Sequence, residues 1–87
     1  MIQLHLPGCR SLKEKRAIIK RLTSKIRNDF NVSVSEVEKQ DFHQSAVIGV
    51  AIVSNNRSFA NAVLSKVVNR MDRESECYMQ DYTLEFR

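Results

Sequence analysis

The sequence has no tryptophan, one proline and two glycines among its 87 residues. So little Pro and Gly excludes collagen-like and low-complexity chains and predicts regular helix and strand along most of the length. No linker, repeat or biased tract interrupts it. Long apolar runs are also missing. The longest is Ala46 to Val53, eight residues including Gly49, against the ~20 that a membrane-crossing helix needs. Met1 to Leu6 is too short and too polar for the core of an export signal, so the expected location is cytoplasmic. Cys9 and Cys77 are a single distant pair, too few for a disulfide framework, and are expected as reduced thiols. An apolar fraction of 43% is nonetheless ordinary for a globular protein. Residues 1–87 therefore read as one domain. A chain of this size buries about 60–65% of the surface its unfolded form exposes, which puts its stability at the lower end of ~5–15 kcal/mol.

What is present is charge, unevenly placed. The formal net charge is +4. Between Arg10 and Arg27 stand eight bases (Arg10, Lys13, Lys15, Arg16, Lys20, Arg21, Lys25, Arg27) against one acid, Glu14, so the remainder of the chain sums to −3. One segment is basic; the protein is not.

Periodicity places that segment on a helix. Ile2, Leu4 and Leu6 alternate with Gln3 and His5 as a short strand, ended by Pro7-Gly8. Ser11 and Glu14 then form a capping box. Leu12, Ile18, Ile19, Leu22, Ile26 and Phe30 fall within one sector of about 120° on a helical wheel, the stripe of a core-packed helix. Asn31 to Val37 changes to period two, and Glu38 to Gln44 connects it to Ala46–Val53, which is apolar on both faces as in a central strand. Ser54-Asn55-Asn56 supplies a turn and N-cap candidates. Phe59, Ala60, Val63, Leu64, Val67 and Met71 form the buried face expected of a second helix, ended by Asp72, Arg73 and Glu74. Tyr78 to Phe86 alternates as a last strand.

The order βαββαβ predicts an α+β, ferredoxin-like fold: a four-stranded antiparallel sheet, order 4-1-3-2, with both helices on one face. The end of the first strand then lies beside the start of the fourth, which makes Cys9 and Cys77 near neighbours.

On the first helix, Arg16, Arg27, Lys20 and Lys13 project about 40°, 60°, 80° and 100° from Leu12, one row flanking the buried face. Lys13, Lys15 and Arg16 occupy the first turns, where the helix dipole disfavours cations. With Arg10 and the free helical N–H groups they suggest a phosphate site. Three readings stand: a solvated face, a surface for RNA or another polyanion, and a membrane surface. The last is disfavoured, because the helix lacks Trp and its apolar face is needed for the core.

An RRM has this topology but stacks bases on aromatics in its central strands; the third strand here has none. His5, His43 and the cysteines match no compact ligand spacing, so no metal or other cofactor is expected. G-x-S-x-G, P-loop and H-E-x-x-H motifs are absent. Acylphosphatases share the topology and use a loop Arg with an Asn. Arg10 has a comparable loop position, but no Asn matches on the third strand. No catalytic constellation is visible.

The run Leu6-Pro7-Gly8-Cys9-Arg10-Ser11-Leu12-Lys13-Glu14-Lys15-Arg16 resembles the L-P-G-x-x-S-L-K-x-K-R opening of the YlxP-like bacterial proteins, domain of unknown function 503. Phe30 to Val37 is similar to the F-N-V-S-V-x-E-V segment of that family. Gln40-Asp41, Gln44, Gly49-Val50-Ala51 and Val53-Ser54-Asn55 follow at its spacing. The resemblance implies a ferredoxin-like fold, a bacterial cytosolic protein and a homodimer. Its genes often lie beside translation-initiation and ribosome-maturation genes, which implies a link to ribosomal RNA. It carries over no catalytic residues. Two departures stand out: family members usually have more residues before the first strand, and often Trp in place of His43. A short first strand leaves part of the third without a partner, an edge open to another subunit.

The leading expectation is a non-enzymatic, dimeric, RNA- or ribosome-associated protein in which Arg10, Lys13, Lys15, Arg16, Lys20 and Arg27 contact phosphates. The alternative is a dimeric ferredoxin-like module for a small ligand or a protein partner.

Overall fold

The computed structural model describes residues 1–74 and 77–83. Ser11 starts the first helix: its backbone is extended and its hydroxyl accepts from the Glu14 N–H at 3.1 Å. Helix α1 then runs Leu12–Asp29 and stops as Phe30 returns to extended backbone. Asn56 caps helix α2, Arg57–Asp72, by accepting from the Phe59 N–H at 3.0 Å. The strands are β1 (Ile2–His5), β2 (Ser33–Glu38), β3 (Ser45–Ala51) and β4 (Tyr78–Tyr82).

They form one antiparallel sheet in the order β2-β3-β1-β4. With both helices over one face this is the expected ferredoxin-like arrangement. Ile18, Ile19, Leu22 and Ile26 of α1 and Val67, Val68 and Met71 of α2 meet Leu4, Ile48 and Val34 of the sheet in one core. Each such aliphatic side chain stabilises the fold by about 1.5–3 kcal/mol. Cys9 and Cys77 are both buried in that core as free thiols.

Three features depart from the periodicity. Strand β2 runs Ser33–Glu38 rather than Asn31–Val37, with a register shift between Glu36 and Glu38. Strand β3 ends at Ala51 rather than Val53, and Val53 is fully exposed. The cause is partnering: the β1–β3 ladder stops at Ile2↔Ile48, so among the described residues Gly49–Ala51 pair with β2 alone. Phe59, expected in the core, is 58% exposed. On the wheel of α2, Ala60, Val67 and Met71 cluster within about 40°, and Phe59 lies about 80–120° from them. The expected last strand is seen from Tyr78 to Tyr82; its end at Phe86 lies outside the described residues.

Candidate functional site

The basic segment divides into two kinds of cation. Arg10, Lys13, Arg16 and Lys20 are exposed, and among the described residues none of these four pairs with an acid. Lys25, by contrast, bridges the helices, 3.6 Å from Glu74, and Arg70 of α2 lies 3.4 Å from Asp29 of α1. These pairs sit on the side of α1 that faces α2. The unpaired row occupies the opposite flank, which runs along edge strand β2. Arg27 marks that geometry, because its Nη2 donates to the Val34 carbonyl at 2.9 Å. Arg27 thereby covers a backbone group of the sheet's outer edge, a structural role alongside any contact with an anion.

Lys15 corrects the expected phosphate site. Its side chain is 0% exposed. It lies near 300° on the wheel, between Leu22 at about 280° and Ile26 at about 320°, in the middle of the buried stripe. The ammonium is 2.7 Å from Glu36 Oε2 and donates to the carbonyls of Lys39 at 2.9 Å, Ser45 at 3.1 Å and Gln40 at 3.5 Å. A buried ammonium without such partners would cost several kcal/mol. Here a carboxylate and three carbonyls replace its water. Lys15 therefore closes the core beneath the β2–β3 connection and is not available to solvent.

The helix N-terminus is partly capped. Glu14 N–H is taken by Ser11 Oγ, and Arg10 N–H donates to Glu14 Oε2 at 3.2 Å. The capping box forms, displaced by one residue at its acidic half, and sets the Glu14 carboxylate against the Arg10 backbone.

Around this end of the molecule the β2–β3 connection is tied down at several points. Leu6 N–H donates to Gln44 O at 2.9 Å, His5 Nδ1 lies 3.1 Å from the same oxygen, and Gln44 Nε2 donates to Cys9 O at 3.4 Å. Lys39 has φ 59°, a left-handed conformation uncommon for a residue other than glycine. Phe42 N–H donates to Lys39 O at 3.1 Å. Its ring is 63% exposed. The periodicity pointed to none of Glu36, Lys39 and Phe42. Glu36 did carry a signal: it is two residues from buried Val34 in a period-two strand, and so had to face inward toward a cation.

At the other end a groove of about 190 Å³ opens between the sheet and α2, lined by Met1, Ile2, Val50, Leu64, Val67, Val68 and Thr83. Among the described residues no group of three or more His, Cys, Asp or Glu could hold a metal, and no helix is long and apolar enough to cross a membrane.

These features define a small ferredoxin-like α+β domain with one cationic flank. The family model described as "Protein of unknown function (DUF503)" matches residues 1–84, and the chain belongs to that family. It is similar to "Uncharacterized protein YlxP" of Bacillus subtilis (strain 168), with 44% identity over 62 residues that make up 71% of this chain and 67% of that protein.

Proposed function

We infer that the chain binds RNA, with ribosomal RNA as the first candidate, through Arg10 and the flank of α1 that carries Lys13, Arg16 and Lys20. The observation that supports this is the contrast in pairing. Lys25, on the α2 side of the helix, is matched by Glu74, whereas the side chains of Lys13, Arg16 and Lys20 on the β2 side, and of Arg10 just before the helix, make no ion pair among the described residues. A one-sided row of unmatched charge attracts a phosphate backbone and releases its counterions on contact. Arg27 extends the row while holding Val34 O, and Lys15 drops out of it.

The helix-free face of the sheet does not suit an RRM-like mode, since β1, β2 and β3 contain no Phe, Tyr or Trp. Recognition then rests on charge and shape. The test is fluorescence anisotropy with a structured ribosomal RNA fragment over ~50–300 mM salt, on wild type and Lys13→Ala/Arg16→Ala/Lys20→Ala. The expected result is a steep log–log salt slope, reduced by about 0.7–0.9 for each lost phosphate contact. A wild type that does not bind at low salt reduces the row to a solvated face.

A second reading, a dimeric module for a small ligand or a protein partner, draws on the groove beside Val50 and on the half of β3 that β1 leaves unpaired. Sedimentation measures it directly: a species at twice the 10.1 kDa chain mass favours self-association, and a monomer at micromolar concentration removes it.

A further inference from the structure

The β2–β3 connection holds an exposed aromatic ring in a fixed place among cations. Phe42 is 63% exposed, although it sits in a six-residue connection that the core could have drawn inward. The backbone around it is anchored from beneath. Lys15 Nζ binds Lys39 O and Gln40 O before the ring and Ser45 O after it. Gln44 ties the same connection to the segment between β1 and α1, through Leu6 N–H and Cys9 O. Cys9 adjoins Arg10, and Lys15 is two residues from Lys13 in the first turn of α1. The tip that carries Phe42 therefore shares one end of the molecule with the start of the cationic row. Lys39 and His43 on the tip are exposed as well. Lys39 is held at φ 59°, a conformation that costs a non-glycine residue of order 1–2 kcal/mol. Asp41 and Glu38 are the exposed acids of this tip and oppose the attraction.

We propose that Phe42 is a stacking platform for an unpaired nucleotide, flanked by Arg10 and Lys13 as contacts for the adjoining phosphates. The proposal rests on the RNA reading given above and narrows its ligand to RNA with a single-stranded element. An exposed aromatic beside a cationic track is the recurrent solution for unpaired strands, because every base has a face to stack and none need be read by its edge. Fixing the backbone beforehand lowers the ordering cost of binding. A helical duplex gains nothing from the ring, since its bases are already stacked.

Two RNAs separate the outcomes: a stem–loop and the blunt duplex of its stem, titrated by anisotropy at one low salt concentration. Wild type is expected to prefer the stem–loop. Phe42→Ala should weaken stem–loop binding about ten-fold and leave duplex binding unchanged, and Phe42→Trp should retain the preference. Asp41→Asn should tighten both. A thermal melt of Phe42→Ala coincident with wild type confirms that the fold is intact, as expected of a ring outside the core. Equal binding of stem–loop and duplex by wild type, or an unchanged stem–loop affinity in Phe42→Ala, overturns the platform and leaves the charged row standing. Absence of binding to either RNA overturns the row and the platform together.

Discussion

The two ends of the sheet are closed by different physics. At the end where α1 begins, the interior is sealed by a charge: Lys15 reaches Glu36 and three carbonyls. At the opposite end no such pair seals it among the described residues. Strand β1 stops one residue short of covering Gly49, β3 frays into an exposed Val53, and an apolar groove of about 190 Å³ remains between the sheet and α2. A buried ion pair tolerates almost no displacement, because each donor and acceptor has given up water for one specific partner. An open apolar groove tolerates a good deal, since dispersion and burial are non-directional. The polar end therefore specifies one loop conformation, and the apolar end leaves room.

The largest expected effect breaks the polar end. Lys15→Met leaves the Glu36 carboxylate and three carbonyls without their cation and should cost about 3–5 kcal/mol in urea denaturation, much of the stability a domain of this size has. Lys15→Met/Glu36→Leu should recover part of that loss, because an apolar pair satisfies itself while the carbonyls stay unpartnered. If the single variant is as stable as wild type, the pair does not seal the core.

A smaller effect compares added methyl groups on one strand. Val47 is 2% exposed on β3, and Val47→Ile should destabilise by about 1–3 kcal/mol through overpacking. Val50 borders the groove. Val50→Ile should be neutral or raise stability by up to about 0.8 kcal/mol, the value of one buried methylene. Melting temperatures that fall equally for both would mean that the open end is as tightly packed as the closed one.

The smallest effect sharpens the polar end without disrupting it. Lys39→Gly removes the left-handed strain at φ 59°, at the cost of a more flexible unfolded chain. The net gain should be about 0.5 kcal/mol by chemical denaturation. The same variant lacks one cation of the Phe42 tip, so a stability gain with weaker RNA binding would separate the two roles of that residue.

The sequence alone was enough for the topology. Period two in Ile2–Leu6 and period 3.6 from Leu12 to Phe30 each encode a face to be buried, and βαββαβ order leaves one common way to bury them together. Ser11 announced the first helix start and Ser54-Asn55-Asn56 narrowed the second to three residues, because capping is satisfied within four residues of chain. The cationic row was legible for the same reason, since neighbours on a helix surface are fixed by the chain itself. What the wheel also contained, and hydrophobicity concealed, was Lys15 among Leu22 and Ile26: a charge in an apolar stripe reads as a surface residue until its partner is seen. That partner, Glu36, lies on another element, and the carbonyls of Lys39, Gln40 and Ser45 become ligands only once the loop has turned. Tertiary structure alone decided which lysines meet solvent, where β3 ends, and that Phe42 stands outward on an anchored loop. Each depends on groups distant in sequence whose desolvation and pairing are settled together when the chain folds.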